Sequence, residues 1–169
     1  GISSVEIKYY YTGNFDSTAE NQTMAASWYG DGTQVIFCCA GDALESVAAA
    51  AEAAGGKVIG ADKDQSDVSE TIITSAEKNL SAAVEYALSD IYSGGLDDGV
   101  TDTFDITKNA IGLEMENSVF ENFINANYIY IYENLLNDTD GIRTNMLDDT
   151  DAVSADEIPT EAVEVEVIQ

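Results

Sequence analysis

The stretch from Val35 to Lys78 constrains the fold more than any other part of the chain. Two short apolar runs there enclose one alanine-rich helix, and glycines mark the junctions. Residues 34–39 form a continuous apolar run of the kind a buried parallel strand shows. Asp42-Ala43-Leu44-Glu45 has the spacing of a helix cap, with Asp42 expected to accept the free amides. The helix stops at Gly55-Gly56. Residues 57–61 read as the next strand, which runs out into Gly60-Ala61-Asp62-Lys63-Asp64-Gln65. Two parallel strands joined by a helix place their C-terminal ends on one rim, and in open α/β sheets small ligands bind at that rim. A glycine and an acidic cluster at the two strand ends suit a polar small molecule.

The flanking sequence continues the alternation. Residues 4–11 are rich in β-branched and aromatic types and read as a strand, followed by a turn at Thr12-Gly13-Asn14. Ser17-Thr18-Ala19-Glu20 reads as a capping box opening a helix to about Tyr29, with Gly30-Asp31-Gly32 as the stop. A polar loop over 64–70 leads to an extended piece at 71–74 and a helix over 77–92. Leu80, Ala83, Val84, Ala87, Leu88 and Ile91 lie on one stripe of that helix. Residues 100–106 read as a further strand. Ser118-Val119-Phe120-Glu121 reads as a third capping box, opening a helix towards Leu136. Residues 138–157 are acidic and read as loop, and the alternation over 160–168 reads as an edge strand or tail. The expected organisation is one α/β lobe over 1–137 with an acidic loop and edge strand or tail over 138–169. No internal repeat is visible. Strand and helix alternate, so the expected class is α/β, a three-layer αβα Rossmann-like lobe with a mostly parallel sheet.

Charge and composition exclude several functions. The chain carries 32 acids against 6 bases, a net charge of -26. Phosphate contacts to nucleic acid need basic side chains, so no nucleic-acid partner is expected. Adsorption to an anionic membrane fails for the same reason. Histidine is absent, which removes the commonest general base and transition-metal ligand. Cys38 and Cys39 are adjacent on a strand and point to opposite faces, so the reading is two small buried apolar residues, not a disulfide. No apolar run reaches transmembrane length. The chain begins almost inside a strand, without a leader, as a piece of something longer would.

The order of these segments resembles the basic membrane protein family, substrate-binding lipoproteins of ABC importers that include purine nucleoside receptors. The specific pieces are Val58-Ile59-Gly60-Ala61-Asp62-Lys63-Asp64-Gln65 and Thr74-Ser75-Ala76-Glu77-Lys78, in that order. The likeness covers residues 5–105 well and the rest loosely. It implies one lobe, the second, of a type I periplasmic-binding-protein fold, with residues 78–94 as the crossover helix towards a missing N-terminal lobe. It also implies ligand contacts. Phe15 matches an aromatic that stacks on the base, and Gly41 a bare turn that lets ligand approach the amides of a helix N-terminus. Asp62 matches an acceptor for the ribose hydroxyls, and Lys78 an amine that reaches the sugar and pairs with Asp62. The family turn is usually of the form AAGGxG, whereas this chain has Cys39-Ala40-Gly41-Asp42-Ala43-Leu44. The plain alternatives are a turn aromatic, a strand-to-helix turn, a solvated acid and a surface helix lysine.

What the resemblance implies overall is the ligand-binding lobe of an extracytoplasmic receptor for nucleosides, without enzymatic activity and without a cofactor or metal. It would be anchored as a lipoprotein through a segment outside this chain and would dock on an ABC permease. High acidity favours an uncharged nucleoside over a nucleotide. The stripe Leu80, Val84, Leu88, Ile91 makes self-association of the lobe plausible. Three other readings stand beside it. One is a sugar-type receptor of the same fold. Another is an acidic calcium module built on Asp97-Asp98, Asp102, Asp105 and the run from Asn137 to Gly141. That run fails as an EF-hand loop, because its first and twelfth positions fall on Leu136 and Leu147. The third is an enzyme using Asp62 with Asp64, for which no activating partner is present.

Overall fold

The computed structural model describes residues 5–95, 99, 101–149 and 163–167. They fall into two compact units, Asn14–Tyr128 and a second made of the two ends of the chain, Gly1–Gly13 with Ile129–Gln169. The first of these holds the predicted rim.

In the unit Asn14–Tyr128 the elements are α1 (Ala19–Gly30), β2 (Val35–Phe37), α2 (Ala43–Ala54), β3 (Lys57–Asp62), β4 (Ile72–Lys78), α3 (Leu80–Ser93) and β5 (Ile111–Leu113). The sheet order is β2-β3-β4-β5. β2, β3 and β4 run parallel, and β5 returns antiparallel beside β4. This is the mixed, mostly parallel α/β class that the alternation implied. Ile36, Cys38, Val58 and Ile72 form the apolar face of the sheet, and Leu44 and Val47 of α2 pack on them. Alanines 43, 50 and 51 are buried on α2, and Ala25 on α1, so the two helices approach closely. Asn21, Ala25 and Tyr29 repeat every fourth residue along the buried side of α1.

One close approach depends on glycine. The Tyr29 ring lies across Gly56, where a Cβ would stand 2.2 Å from the ring edge. Tyr29 then donates its hydroxyl to Lys57 O at 2.7 Å.

The structure corrects several sequence expectations. α1 is capped by Thr18, whose hydroxyl accepts from Asn21 N, while Ser17 bonds Ser46 instead. Asp42 stands at the start of α2 and makes no side-chain cap bond. β2 lies at the sheet edge and is buried on one side only, with Val35 and Phe37 exposed. β4 continues through Lys78, and α3 begins at Leu80 with Asn79 as its cap. Asn79 Oδ1 accepts from Ala82 N, which outcompetes a start at Glu77. The strand expected at 100–106 comes later, at 111–113, after a 3-10 turn at Ile106–Lys108. Ser118 donates to Met115 O and opens no helix.

The other unit contains β1 (Val5–Tyr9), α5 (Ile142–Asp149) and β6 (Val163–Val167). β1 and β6 pair in parallel, Val5 level with Val163. The division of the chain falls inside α4 (Asn125–Leu136), which starts seven residues later than the Ser118 box suggested. Part of the expected acidic loop is helical. Asp138 accepts from Arg143 N and Thr144 N and so nucleates α5. Asp97, Asp98 and the loop segment 150–162 lie outside the described residues.

Candidate functional site at the strand ends

Three parallel strands end together in the unit Asn14–Tyr128, and each end carries a residue singled out above. Beyond β2, the chain turns at Gly41, which has φ +54. A Cβ on Gly41 would come within 3.1 Å of Phe15 Cβ, so the ring of Phe15 lies directly against the bare Cα. The backbone fixes this contact, since Ala43 N donates to Phe15 O at 3.1 Å. Phe15 remains 70% exposed, so one ring face is free for a planar partner.

At the end of β3 stands Asp62, a non-glycine residue with φ +74. Lys63 N donates to Ala61 O across it at 3.0 Å, the i to i+2 bond of a γ-turn. Strand alternation would send Asp62 to the same side as buried Gly60. The left-handed angle breaks that alternation, and Asp62 Oδ1 meets Lys78 Nζ at 2.7 Å. Lys78 ends β4, so the ion pair ties two neighbouring strand ends together. The Asp62 carboxylate, by hydrogen bond and then by charge, pushes the Lys78 ammonium above its ordinary pKa. Both side chains are more than half exposed, leaving their remaining donors and acceptors open to a ligand.

A lock behind the rim explains the rest of the motif around Asp62. Gln65 folds its side chain back so that Oε1 accepts from Ala61 N at 2.8 Å. Gln65 N donates to Oγ of fully buried Ser75 at 3.1 Å. A Cβ on Gly60 would lie 2.6 Å from Ser75 Oγ and 2.7 Å from Gln65 Oε1, so only glycine fits. Asp64 accepts from Ser66 N, from Ser66 Oγ and from Asn117 Nδ2. These bonds, the backbone one first, hold its carboxyl below the usual range. Asp62 and Asp64 therefore have separate partners and do not form a pair.

Phe15 thus meets Gly41, and Asp62 meets Lys78. Sequence reasoning missed the residue between the two contacts. Cys39 was read as buried, yet it is exposed, and only Cys38 lies in the core. The alternation of buried Ile36 and Cys38 with exposed Phe37 and Cys39 was the available signal. Partial burial pushes the Cys39 thiol up, the Asp62 carboxylate pushes it further, and Lys78 pulls it back. Ala43, Leu44 and Glu45 amides donate to Ala40 O, Gly41 O and Asp42 O, so the first turn of α2 already has acceptors. The bare Cα of Gly41 leaves room for Phe15.

Among the described residues, no group of three acidic or cysteine side chains could hold a metal ion. Asp102 pairs with Lys108, Asp105 accepts from Thr107, and Asp138 caps α5. A hollow of about 390 Å³ lies at the other end of β3, beside Glu52, Lys57 and Glu70. It shares no residue with the rim, and Glu52 stands in the last turn of α2, where the helix already carries partial negative charge. Among the described residues, no helix is long and apolar enough to cross a membrane.

The chain is similar to several known proteins. Residues 3–138 match a family model described as Bmp, ABC transporter substrate-binding protein PnrA-like. The ABC transporter nucleoside-binding protein BmpA of Lactococcus lactis subsp. cremoris is 25% identical over 137 residues, covering 70% of this chain and 39% of that protein. Basic membrane protein D of Borreliella burgdorferi is 30% identical over 139 residues, covering 79% of this chain and 39% of that protein. The chain therefore spans about two fifths of the length of these relatives. Two solved structures share the fold. A transcriptional activator of the comK gene from Bacillus halodurans aligns with TM-score 0.61 at 14% identity, over 82% of this chain and 56% of that one. A solute-binding protein of an ABC transporter system from Aeropyrum pernix K1 aligns with TM-score 0.53 at 23% identity, over 82% of this chain and 43% of that one.

Proposed function

The chain belongs to the Bmp family of PnrA-like ABC transporter substrate-binding proteins, and on that premise we propose that it supplies one wall of a nucleoside-binding cleft. The observation that carries the reading is the ring-and-ion-pair arrangement on one rim, Phe15 against Gly41 and Asp62 with Lys78. In this reading the base stacks on the open face of Phe15. The Asp62 carboxylate accepts from the two ribose hydroxyls, and Lys78 orients that carboxylate and donates to the sugar. The γ-turn at Asp62 holds the carboxylate towards the rim before ligand arrives, which reduces the ordering cost of binding.

The ligand is neutral. The helix amides at α2 are already engaged, and Lys78 is balanced by Asp62, so a phosphate would meet no free donor cluster. The net charge of -26 repels anions further. The second wall comes from an N-terminal lobe of the longer protein, and closure of the two lobes traps the nucleoside for delivery to an ABC permease. The protein performs no covalent chemistry, and it acts outside the cytoplasm, anchored as a lipoprotein by a segment beyond this chain. The lobe extends over 1–137, with residues 138–169 as an appended acidic segment and strand.

Calorimetric titration of the chain with inosine, adenosine and guanosine at millimolar concentration tests this. We expect weak heat with nucleosides, less with AMP and none with ribose alone. Heat with ribose equal to that with inosine would favour a sugar receptor, and heat with calcium alone would favour the acidic module. No heat with any nucleoside would sink the reading.

A further inference from the structure

Cys39 occupies a position in this site that neither the family motif nor the sequence reading assigns. Phe37 pairs with Ile59 and Cys38 N donates to Ile59 O at 3.0 Å, so Cys39 follows directly beyond the last pair of β2, on the side of β3 that leads to Ala61. Ala61 in turn pairs with Ala76. Lys78, two residues beyond Ala76, leaves β4 on the same face. That face is the one opposite Ile36 and Cys38, which are buried against α2, and Cys39 is exposed on it. Two residues further along the chain, Gly41 touches Phe15. The route along the rim from the Phe15 ring to the Asp62–Lys78 pair therefore passes Cys39.

We propose that Cys39 lines the ligand site between the aromatic half and the charged half and sets how large a group can lie there. This rests on the nucleoside-receptor reading and adds a specificity-determining residue to it. The side chain suits the place. A thiol is small, soft and weakly hydrogen-bonding, so it can lie against the carbon face of a sugar without demanding a polar partner. A ligand that bridges both halves must cover it. The electrostatics agree, since the charges of both Asp62 and Lys78 act on this thiol.

Alkylation with N-ethylmaleimide, read site by site by mass spectrometry on the native chain, tests the proposal. Cys38 is buried and serves as the internal control. Cys39 should be modified and Cys38 spared. Inosine at about ten times its Kd should slow modification of Cys39 about tenfold. Calorimetry on the same sample reports binding independently. Heat with inosine and an unchanged rate at Cys39 would overturn the proposal and leave the receptor reading standing. No heat would overturn both. Substitution gives a second line. Cys39→Leu should lose inosine binding while keeping the parental Tm. Undiminished binding by Cys39→Leu would also refute it.

Discussion

Asp62 shows how one backbone angle can serve a site at a cost to the fold. A left-handed φ on a non-glycine residue costs on the order of 1 kcal/mol or more. Here it directs a carboxylate to Lys78. Asp62→Gly should therefore raise stability by up to about 1 kcal/mol in urea unfolding, while nucleoside binding is lost. Equal loss of both would mean that the angle carries no strain. Gly56 presents the opposite case. Its missing Cβ admits the Tyr29 ring, and Gly56→Ala should destabilise the chain by about 2–3 kcal/mol, read as a lower urea midpoint. Tyr29 itself predicts an alkaline limit. Burial first, and the Cys38 thiolate second, raise its pKa from 10.0 to about 12. The folded state holds its proton longer than the unfolded chain does. The stabilisation is complete below pH 10 and fades as pH rises to about 12, a loss on the order of 2–3 kcal/mol. A Tyr29→Phe variant should lose that step from the stability profile between these pH values.

At the scale of elements, α3 stands out, because none of its residues is buried although it carries a full apolar stripe. Leu80, Val84, Leu88 and Ile91 are all exposed. Amphipathic helices normally hold their place through such a stripe. This one is secured at its start by Asn79, which accepts from Ala82 N and donates to Asn109 O. Near its middle, the ammonium of Lys108 lies 4.4 Å from the centroid of the Tyr86 ring. The double variant Val84→Lys with Leu88→Lys should therefore leave the thermal midpoint near that of the parent. If the stripe drives association of copies of this chain, the same variant should lower the mass seen by light scattering at high concentration. A large drop in Tm would show that the stripe is packed in solution. The helix stripe was legible in the sequence, as were α1, α2 and the β3 motif. The start of α3 was not. Thr-Ser-Ala-Glu-Lys suits helix and strand alike, and the choice fell to pairing with β5, an element without a sequence signal of its own.

The whole molecule is dominated by its charge. With 32 acids against 6 bases, like charges repel across its surface at low ionic strength. Screening shortens that repulsion to about 10 Å at 0.1 M salt. Thermal stability should rise steadily as sodium chloride goes from about 10 mM to about 500 mM, and a flat profile would mean that the acids are paired or well separated. The same field opposes anionic ligands and is one reason the proposed cargo is uncharged. Both effects follow from residue counts and need no coordinates.

The sequence by itself determined the class of the fold and the rim where strands end, while its resemblance to a family pointed to Phe15, Gly41, Asp62 and Lys78 as the residues worth testing there. Periodicity and glycine placement are local, and they survive in any arrangement of the elements. Tertiary structure decided the rest. It brought Phe15 onto Gly41, filled the space over Gly60 with Gln65 and Ser75, and left Cys39 facing out while Cys38 faces in. Each of these depends on strand order, register and one positive φ, which are set by packing between residues distant in the chain. No local pattern encodes such distances.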